Sequence, residues 1–108
     1  MIHELIHKPG EEMAKEKHVP HIEILNGKVK VSCGKDIMHP NTEEHHIVWM
    51  KLYGIDKEGK LRELGSHYPK PVKEQPVAEF KIDVSNQKEL LALIFCNIHG
   101  FWENKLEL

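Results

Sequence analysis

The amino-acid sequence predicts an all-β domain, an antiparallel sandwich of about seven short strands. Apolar and polar residues alternate in several short segments, which is the pattern of strands that bury one face. Turn signals separate these segments, and Asn26-Gly27 is the strongest because both residues suit a two-residue hairpin. No segment keeps a helical period over three turns. Short strands separated by turns favour a sandwich over a helical bundle.

The first half of the chain predicts four strands. Residues 21–25 and 28–33 lie on either side of the Asn-Gly turn, and valines alternate with lysines in the second of them. Residues 46–54 are rich in β-branched and aromatic side chains and predict a longer strand. A turn that ends in glycine follows, and then a short strand is expected around residues 60–64.

The second half predicts three more strands after a proline-rich connection. Residues 66–76 contain three prolines, so we expect a loop or an irregular edge there. Residues 78–84 alternate between apolar and polar types, as a half-buried strand does. Residues 90–95 form a continuous apolar run, which is typical of a central strand. Residues 105–108 alternate again and predict the last strand.

Length and charge narrow the classes of protein. The 108 residues suit one domain with one core. The formal net charge is −2, from 15 basic and 17 acidic residues, so nothing favours binding to nucleic acid or to anionic lipid. No apolar run approaches the roughly 20 residues of a membrane span, and the N-terminus lacks the pattern of a signal peptide. We therefore expect a cytoplasmic protein.

Histidine and cysteine carry the functional signal. Histidine, which is the commonest metal ligand among side chains, makes up 9 of the 108 residues. Cys33 and Cys96 are the only cysteines, and in a reducing compartment each is expected to be a ligand, a nucleophile or a small core residue. Cys33 alternates with valines in its strand, so packing in the core is the expectation there.

The most informative motif is Cys96-Asn97-Ile98-His99, which Gly100 follows. The thiol and the imidazole can reach one metal ion if the backbone turns between them, and the glycine favours such a turn. Thiolate and imidazole together suit iron, copper or zinc rather than magnesium or calcium. We expect this motif in the loop after the apolar sixth strand.

Other histidines also lie at predicted strand ends. His18 precedes the first strand, and His39 and His45 bracket a loop before the third. His45 and His46 are adjacent and point to opposite faces if extended, so we expect one of them to bind metal, and spacing does not say which. The several imidazoles and one thiol exceed what a structural zinc site needs, which indicates a redox metal.

Three segments, in this order, resemble the superoxide reductase family, which includes neelaredoxin and desulfoferrodoxin. They are Glu16-Lys17-His18-Val19-Pro20, His39-Pro40-Asn41-Thr42-Glu43-Glu44-His45-His46 and Cys96-Asn97-Ile98-His99-Gly100-Phe101-Trp102-Glu103. The resemblance implies an immunoglobulin-like β-sandwich. It also implies one iron-binding domain over residues 1–108, with residues 1–15 as an N-terminal segment. Two cysteines cannot supply the additional four-cysteine, rubredoxin-like iron site of two-domain members.

The resemblance also implies a site and a reaction. The implied ligands are His18, His39, His45 and His99 in a plane around one iron, with Cys96 as the axial thiolate. The sixth position is open to superoxide in the ferrous state, Glu16 is the carboxylate that occupies it in the oxidised state, and Lys17 is the neighbouring cation. The implied reaction is the one-electron reduction of superoxide to hydrogen peroxide. The implied partners are a rubredoxin-like electron donor and further copies of the chain, in a homodimer or homotetramer.

Two other classes of function stay open at the level of sequence. In a non-enzymatic electron carrier, the same iron would only pass electrons and its coordination would be saturated. In a zinc-stabilised structural or interaction domain, four ligands would suffice and the protein would be colourless.

Overall fold

The computed structural model describes residues 1–10 and 17–108, which form a sandwich of two antiparallel sheets. The strands are β1 (Pro20–Leu25), β2 (Lys28–Cys33), β3 (Ile47–Asp56), β4 (Leu61–His67), β5 (Val77–Phe80), β6 (Gln87–Cys96) and β7 (Gly100–Glu107). One sheet has the order β1-β2-β5 and the other the order β4-β3-β6-β7. This arrangement confirms the predicted immunoglobulin-like sandwich, with the fourth strand on the side of β3.

Alternating burial along the strands, most regular in β6, builds the core and leads to one end of it. Leu90, Ala92, Ile94 and Cys96 are the inward residues of β6, and all four are fully buried. From the opposite sheet β2 contributes its valines and Cys33, which is also fully buried. Because Cys96 is the last residue of β6, its sulfur lies at one end of the interior, beside the loops that leave the sheets.

The predicted strand 78–84 is shorter in the structure, and the reason is the length of its partner. β5 pairs with β2 from Ser32↔Val77 to Val29↔Phe80, and β2 begins one residue before Val29. Only Lys28 remains within β2 beyond the pair Val29↔Phe80, so this ladder could extend by one residue at most. Ile82 and Val84 still pack against the core. The alternation of apolar and polar residues therefore indicated burial correctly, but it did not indicate pairing with a neighbouring strand.

Two further strand boundaries differ from prediction. β4 extends to His67, so the first two residues of the predicted loop 66–76 belong to a strand. β7 begins at Gly100, well before the predicted strand 105–108, because the connection after β6 is a turn of only three residues, 97–99. Ile98 and His99 of the cysteine–histidine motif therefore lie in this turn, and the next residue already belongs to the sheet.

The N-terminal residues lie along the edge of the four-stranded sheet. A short 3-10 helix spans Ile2–Leu5. After it, the His7 amide donates to the Phe101 carbonyl at 2.9 Å, and the Glu103 amide donates to the His7 carbonyl at 2.9 Å. Within residues 1–10 and 17–108, no helix has the length and apolar character that a membrane span requires.

Candidate metal centre

Four potential ligands from separate parts of the chain meet at the end of the core where β6 terminates. The ligand atoms of His18, His39, His45 and Cys96 all lie within 4.8 Å of one another. His18 comes from a short turn before β1, His39 and His45 from the loop between β2 and β3, and Cys96 from the last position of β6. His18, His39 and Cys96 are buried, so the donors are held away from bulk water.

His99 is a fifth potential donor at the same place. Its Nδ1 lies 3.0 Å from His18 Nε2 and 3.8 Å from Cys96 Sγ. The turn between β6 and β7 is closed by the His99 amide, which donates to Cys96 Sγ at 3.5 Å. Two nitrogens that each lie about 2.1 Å from one ion, at a right angle, are about 3.0 Å apart. The spacing of the His18 and His99 nitrogens therefore suits a shared ion.

Each of the four imidazole rings lies next to two of the others, so that together they surround one region. Ring centroids of successive histidines are separated by 4.4 Å (His18–His39), 4.5 Å (His39–His45), 5.0 Å (His45–His99) and 4.7 Å (His99–His18). The diagonal from His18 to His45 is 6.0 Å. This distance exceeds every neighbouring distance, so the four ring centroids are not equidistant as the corners of a regular tetrahedron would be. The Cys96 sulfur, 3.7 Å from His39 Nε2, approaches from the buried end of β6.

The electrostatics favour the neutral form of two of these imidazoles, those of His39 and His45. The pKa of His39 is lowered to about 4, mainly by burial and also by the nearby His45, Lys17 and His99, against a hydrogen bond to the Pro40 carbonyl that raises it. Burial also lowers the pKa of His45, with His99 and Lys17 as further causes. A neutral imidazole keeps a nitrogen lone pair for a metal ion.

Hydrogen bonds leave the correct nitrogens for a metal. His39 Nδ1 donates to the Pro40 carbonyl at 2.6 Å, which leaves Nε2 as the lone-pair nitrogen that faces the site. His45 Nε2 is buried and has no hydrogen-bond partner among the described residues. A buried polar atom without a partner is costly, and a metal ion at the centre would satisfy it. The donor set therefore fits a bound metal.

Of the adjacent residues His45 and His46, only His45 has its side chain among the potential ligands, as expected of neighbouring residues that point in opposite directions. His46 Nδ1 instead donates to the carbonyls of Thr42 and Glu43, each at 3.1 Å. Cys33 also behaves as predicted: it is a free, fully buried thiol. Burial raises the pKa of Cys33, and the neighbouring Cys96 raises it further, so it stays protonated.

Comparison with known proteins agrees with this geometry. The family model described as Desulfoferrodoxin matches residues 10–105. The chain belongs to the desulfoferrodoxin family. It is 44% identical over 102 residues to a superoxide reductase of Pyrococcus horikoshii, covering 86% of this chain and 88% of that protein. Among solved structures, a one-iron superoxide reductase from Giardia intestinalis has a TM-score of 0.80 at 44% identity, covering 86% of this chain and 99% of that chain. A neelaredoxin from Ignicoccus hospitalis has a TM-score of 0.85 at 29% identity, covering 100% and 97%.

Two asparagines that sequence reasoning did not single out hold the loop that carries the family's second motif. Asn41 Oδ1 accepts from the Ile47 amide at 3.2 Å, and its Nδ2 donates to the carbonyls of Glu74 at 2.7 Å and Lys70 at 3.0 Å. Asn97 also holds this loop in place. Its Nδ2 donates to the Glu44 carbonyl, and its Oδ1 accepts from the His46 amide. Asparagine in loops often bonds backbone groups, which is the signal that could have marked both residues.

Gly34 was also missed, and it lets two segments of the site approach each other. Its φ is +89°, and a Cβ at this position would collide with the Ile37 carbonyl oxygen and lie 3.2 Å from the Lys17 Cα. A side chain would therefore separate the segment before β1 from the loop that leads to His39. The positive φ independently favours glycine.

Trp102 supports two of the histidines at once. The indole stacks on the His18 ring at 5.1 Å with an interplanar angle of 19°, and its Nε1 donates to the His99 carbonyl at 3.3 Å. On its other side the indole contacts the His7 ring at 4.5 Å. Trp102 is only 1% exposed, so it fixes the spacing of His18 and His99 from the side of β7.

Lys17 and Glu16 complete the set of predicted site residues. Lys17 is half-buried, and its charge lowers the pKa of both His39 and His45, so it lies beside the donors. Glu16 lies outside the described residues.

Proposed function

We propose that this protein catalyses the one-electron reduction of superoxide to hydrogen peroxide at a single mononuclear iron. The observation that carries the proposal is the convergence of four imidazoles and one thiol on a common centre at the end of the core. Membership of the desulfoferrodoxin family supports it, because relatives that span most of this chain are named superoxide reductases.

The donor set favours iron over a structural zinc. Structural zinc takes four ligands in a tetrahedron, whereas five potential donors lie close together here and the four ring centroids are not equidistant. We propose that His18, His39, His45, His99 and Cys96 hold the ion. Iron held by them would supply the electron, by cycling between its ferrous and ferric states. Because His39 and His45 are neutral at pH 7, they add no negative charge that would favour the ferric ion.

We propose roles in the reaction for two further residues, Lys17 and Glu16. The reaction consumes one superoxide, one electron and two protons for each hydrogen peroxide. Lys17 lies beside the donors, and we propose that its positive charge attracts the anionic substrate and orients a proton-donating water. We propose that the Glu16 carboxylate is a ligand in the oxidised state, when no substrate is present.

The proposal extends to partners, organisation and location. A one-electron reaction needs a one-electron donor, and we propose a small rubredoxin-like iron protein. We propose one iron-binding domain over residues 1–108, which contain too few cysteines for an additional four-cysteine site, and assembly into a homodimer or homotetramer. Cytoplasmic location is supported by two cysteines that are both free.

The stoichiometry of peroxide tests the activity directly. The iron-loaded protein is mixed with superoxide and an excess of reduced donor, and hydrogen peroxide is measured. A reductase yields one peroxide for each superoxide consumed, whereas dismutation yields one for two. The His46→Ala variant serves as the control because that ring faces away from the site, and His45→Ala is expected to lose the activity. A one-to-two yield, or equal activity of the two variants, would contradict the proposal.

A further inference from the structure

The N-terminal residues of the protein are joined to the four-stranded sheet at His7. The His7 amide donates to the Phe101 carbonyl and the His7 carbonyl accepts from the Glu103 amide, each at 2.9 Å. These two bonds form a parallel bridge between His7 and Trp102 at the edge of β7. Most of residues 1–10 are exposed, but His7 is half-buried. The backbone therefore holds His7 directly beside Trp102.

Trp102 contacts two imidazole rings at once. The centroid of its indole lies 4.5 Å from that of the His7 ring, with an interplanar angle of 34°. It lies 5.1 Å from the centroid of the His18 ring, with an interplanar angle of 19°. His18 is one of the proposed iron ligands, and its Nε2 lies 3.0 Å from the Nδ1 of His99, which is another. A series of ring contacts therefore leads from the edge of the sheet to the proposed metal centre.

Packing contributes more than hydrogen bonding to the orientation of the indole. Its Nε1 donates to the His99 carbonyl at 3.3 Å, which is longer than the distance of about 2.9 to 3.0 Å that is usual for such bonds. A bond of this length holds the ring weakly, so the neighbouring side chains decide its position. Trp102 is only 1% exposed, and these neighbours include both imidazoles. If the His7 side chain were reduced to a methyl group, the indole would gain room and would be free to turn away from His18.

We propose that His7 is a positioning residue of the metal centre. Its ring holds the Trp102 indole in place, and the indole holds His18 and His99 at the separation that one shared ion requires. His7 is not itself a proposed ligand, so Trp102 transmits its effect to the ion. The inference rests on the proposed metal centre, and it gives the N-terminal residues a part in retaining the metal.

Exchange of the His7 ring tests the proposal. A contact between two aromatic rings contributes a factor of about three to ten, so iron is expected to transfer to a ferrous chelator faster from His7→Ala than from the wild type by about that factor. His7→Phe keeps a ring against the indole and is expected to restore the wild-type rate. His3→Ala is the matched control, because the His3 side chain is largely exposed in the same part of the chain. Alanine and phenylalanine both keep the backbone bonds of residue 7.

The spectrum of the ferric centre distinguishes positioning from a general loss of stability. Movement of His18 changes the ligand field, so the electron paramagnetic resonance signal of the iron-loaded, oxidised His7→Ala protein is expected to differ from that of the wild type. A merely structural effect would lower the melting temperature and leave this signal unchanged.

Fluorescence of the iron-free protein gives a second readout, which does not depend on activity. In a Trp49→Phe background, Trp102 is the only tryptophan. His7→Ala is expected to shift the Trp102 emission to longer wavelength, because the indole gains access to water. His3→Ala in the same background is expected to leave the emission unchanged.

Failure of this inference and failure of the proposed function are distinguishable. A wild-type protein that does not retain iron would overturn the proposed function and the inference with it. A loaded, active wild type would leave the proposed function intact, and the inference alone would be overturned if His7→Ala then matched it in iron transfer and in the ferric signal. A His7→Phe variant that releases iron as fast as His7→Ala would overturn the inference as well, since the ring contact would then not be what retains the metal.

Discussion

Replacing Asn41 by alanine tests whether the histidine-bearing loop is fixed by a few side-chain hydrogen bonds. Asn41 lies between His39 and His45, two of the proposed ligands. Its side chain makes three hydrogen bonds, which are to the Ile47 amide and to the carbonyls of Lys70 and Glu74. Its backbone carbonyl accepts from the Val72 amide, and alanine would keep that bond. The change therefore removes the three side-chain bonds and keeps the backbone bond.

The expected loss follows from the number of bonds. Each hydrogen bond contributes about 1 kcal/mol net, and these bonds are only partly buried, so the free energy of unfolding should fall by about 2 to 3 kcal/mol. For a domain of this size, that loss lowers the melting temperature by about 10 °C. The freed loop carries both His39 and His45, so iron should also dissociate faster.

Thermal unfolding of the iron-free protein, followed by circular dichroism, measures the first effect separately from metal binding. Transfer of iron from the loaded protein to a ferrous chelator measures the second. Asn86→Ala is the matched control, because Asn86 is exposed and its backbone carbonyl accepts from the Lys57 amide. If Asn41→Ala melts within 2 °C or so of Asn86→Ala and releases iron at the same rate, the loop is held by something else.

Three further substitutions address single residues of the site. Lys17→Ala should slow superoxide consumption by roughly tenfold and weaken its dependence on ionic strength, because the attraction of the substrate by this cation is lost. Pulse radiolysis at two salt concentrations measures both effects. An unchanged rate and an unchanged salt dependence would remove Lys17 from the mechanism. Glu16→Ala should leave turnover nearly intact but shift the ferric absorption band, and an identical band would refute ligation by Glu16. Trp102→Phe keeps an aromatic ring against His18 but loses the hydrogen-bond donor to the His99 carbonyl. Iron should therefore transfer to a chelator faster from this variant than from the control variant Trp49→Phe. Equal rates of transfer would show that the indole nitrogen does not position His99.

Much of the centre was predictable because its ligands sit in local patterns. Cys96 closes an alternating run whose inward positions are all buried, so its place at the end of the core follows from the period of the strand. The choice between His45 and His46 was not predictable from spacing, because adjacent residues differ only in direction, and only the resemblance to the family named His45. A turn decides it, in which the Thr42 amide donates to the His45 carbonyl at 2.9 Å and the His46 ring is bonded to the backbone.

The supports of the centre were not predictable for a different reason. Asn41 bonds residues 29 and 33 positions away, and Asn97 bonds residues 51 and 53 positions away. A Cβ at Gly34 would collide with the Ile37 carbonyl oxygen and would also crowd Lys17, which approaches from another segment. Local periodicity records which side of a strand is buried, but it does not record which distant backbone group a loop side chain will meet.

The most direct test of the account is metal analysis of the purified protein together with an oxidised-minus-reduced visible spectrum, for the wild type and for Cys96→Ser. Five converging donors predict about one iron per chain and a thiolate-to-ferric absorption band that Cys96→Ser abolishes. A colourless protein that contains zinc when grown with ample iron would contradict the account, and so would a visible band that survives the loss of the Cys96 sulfur.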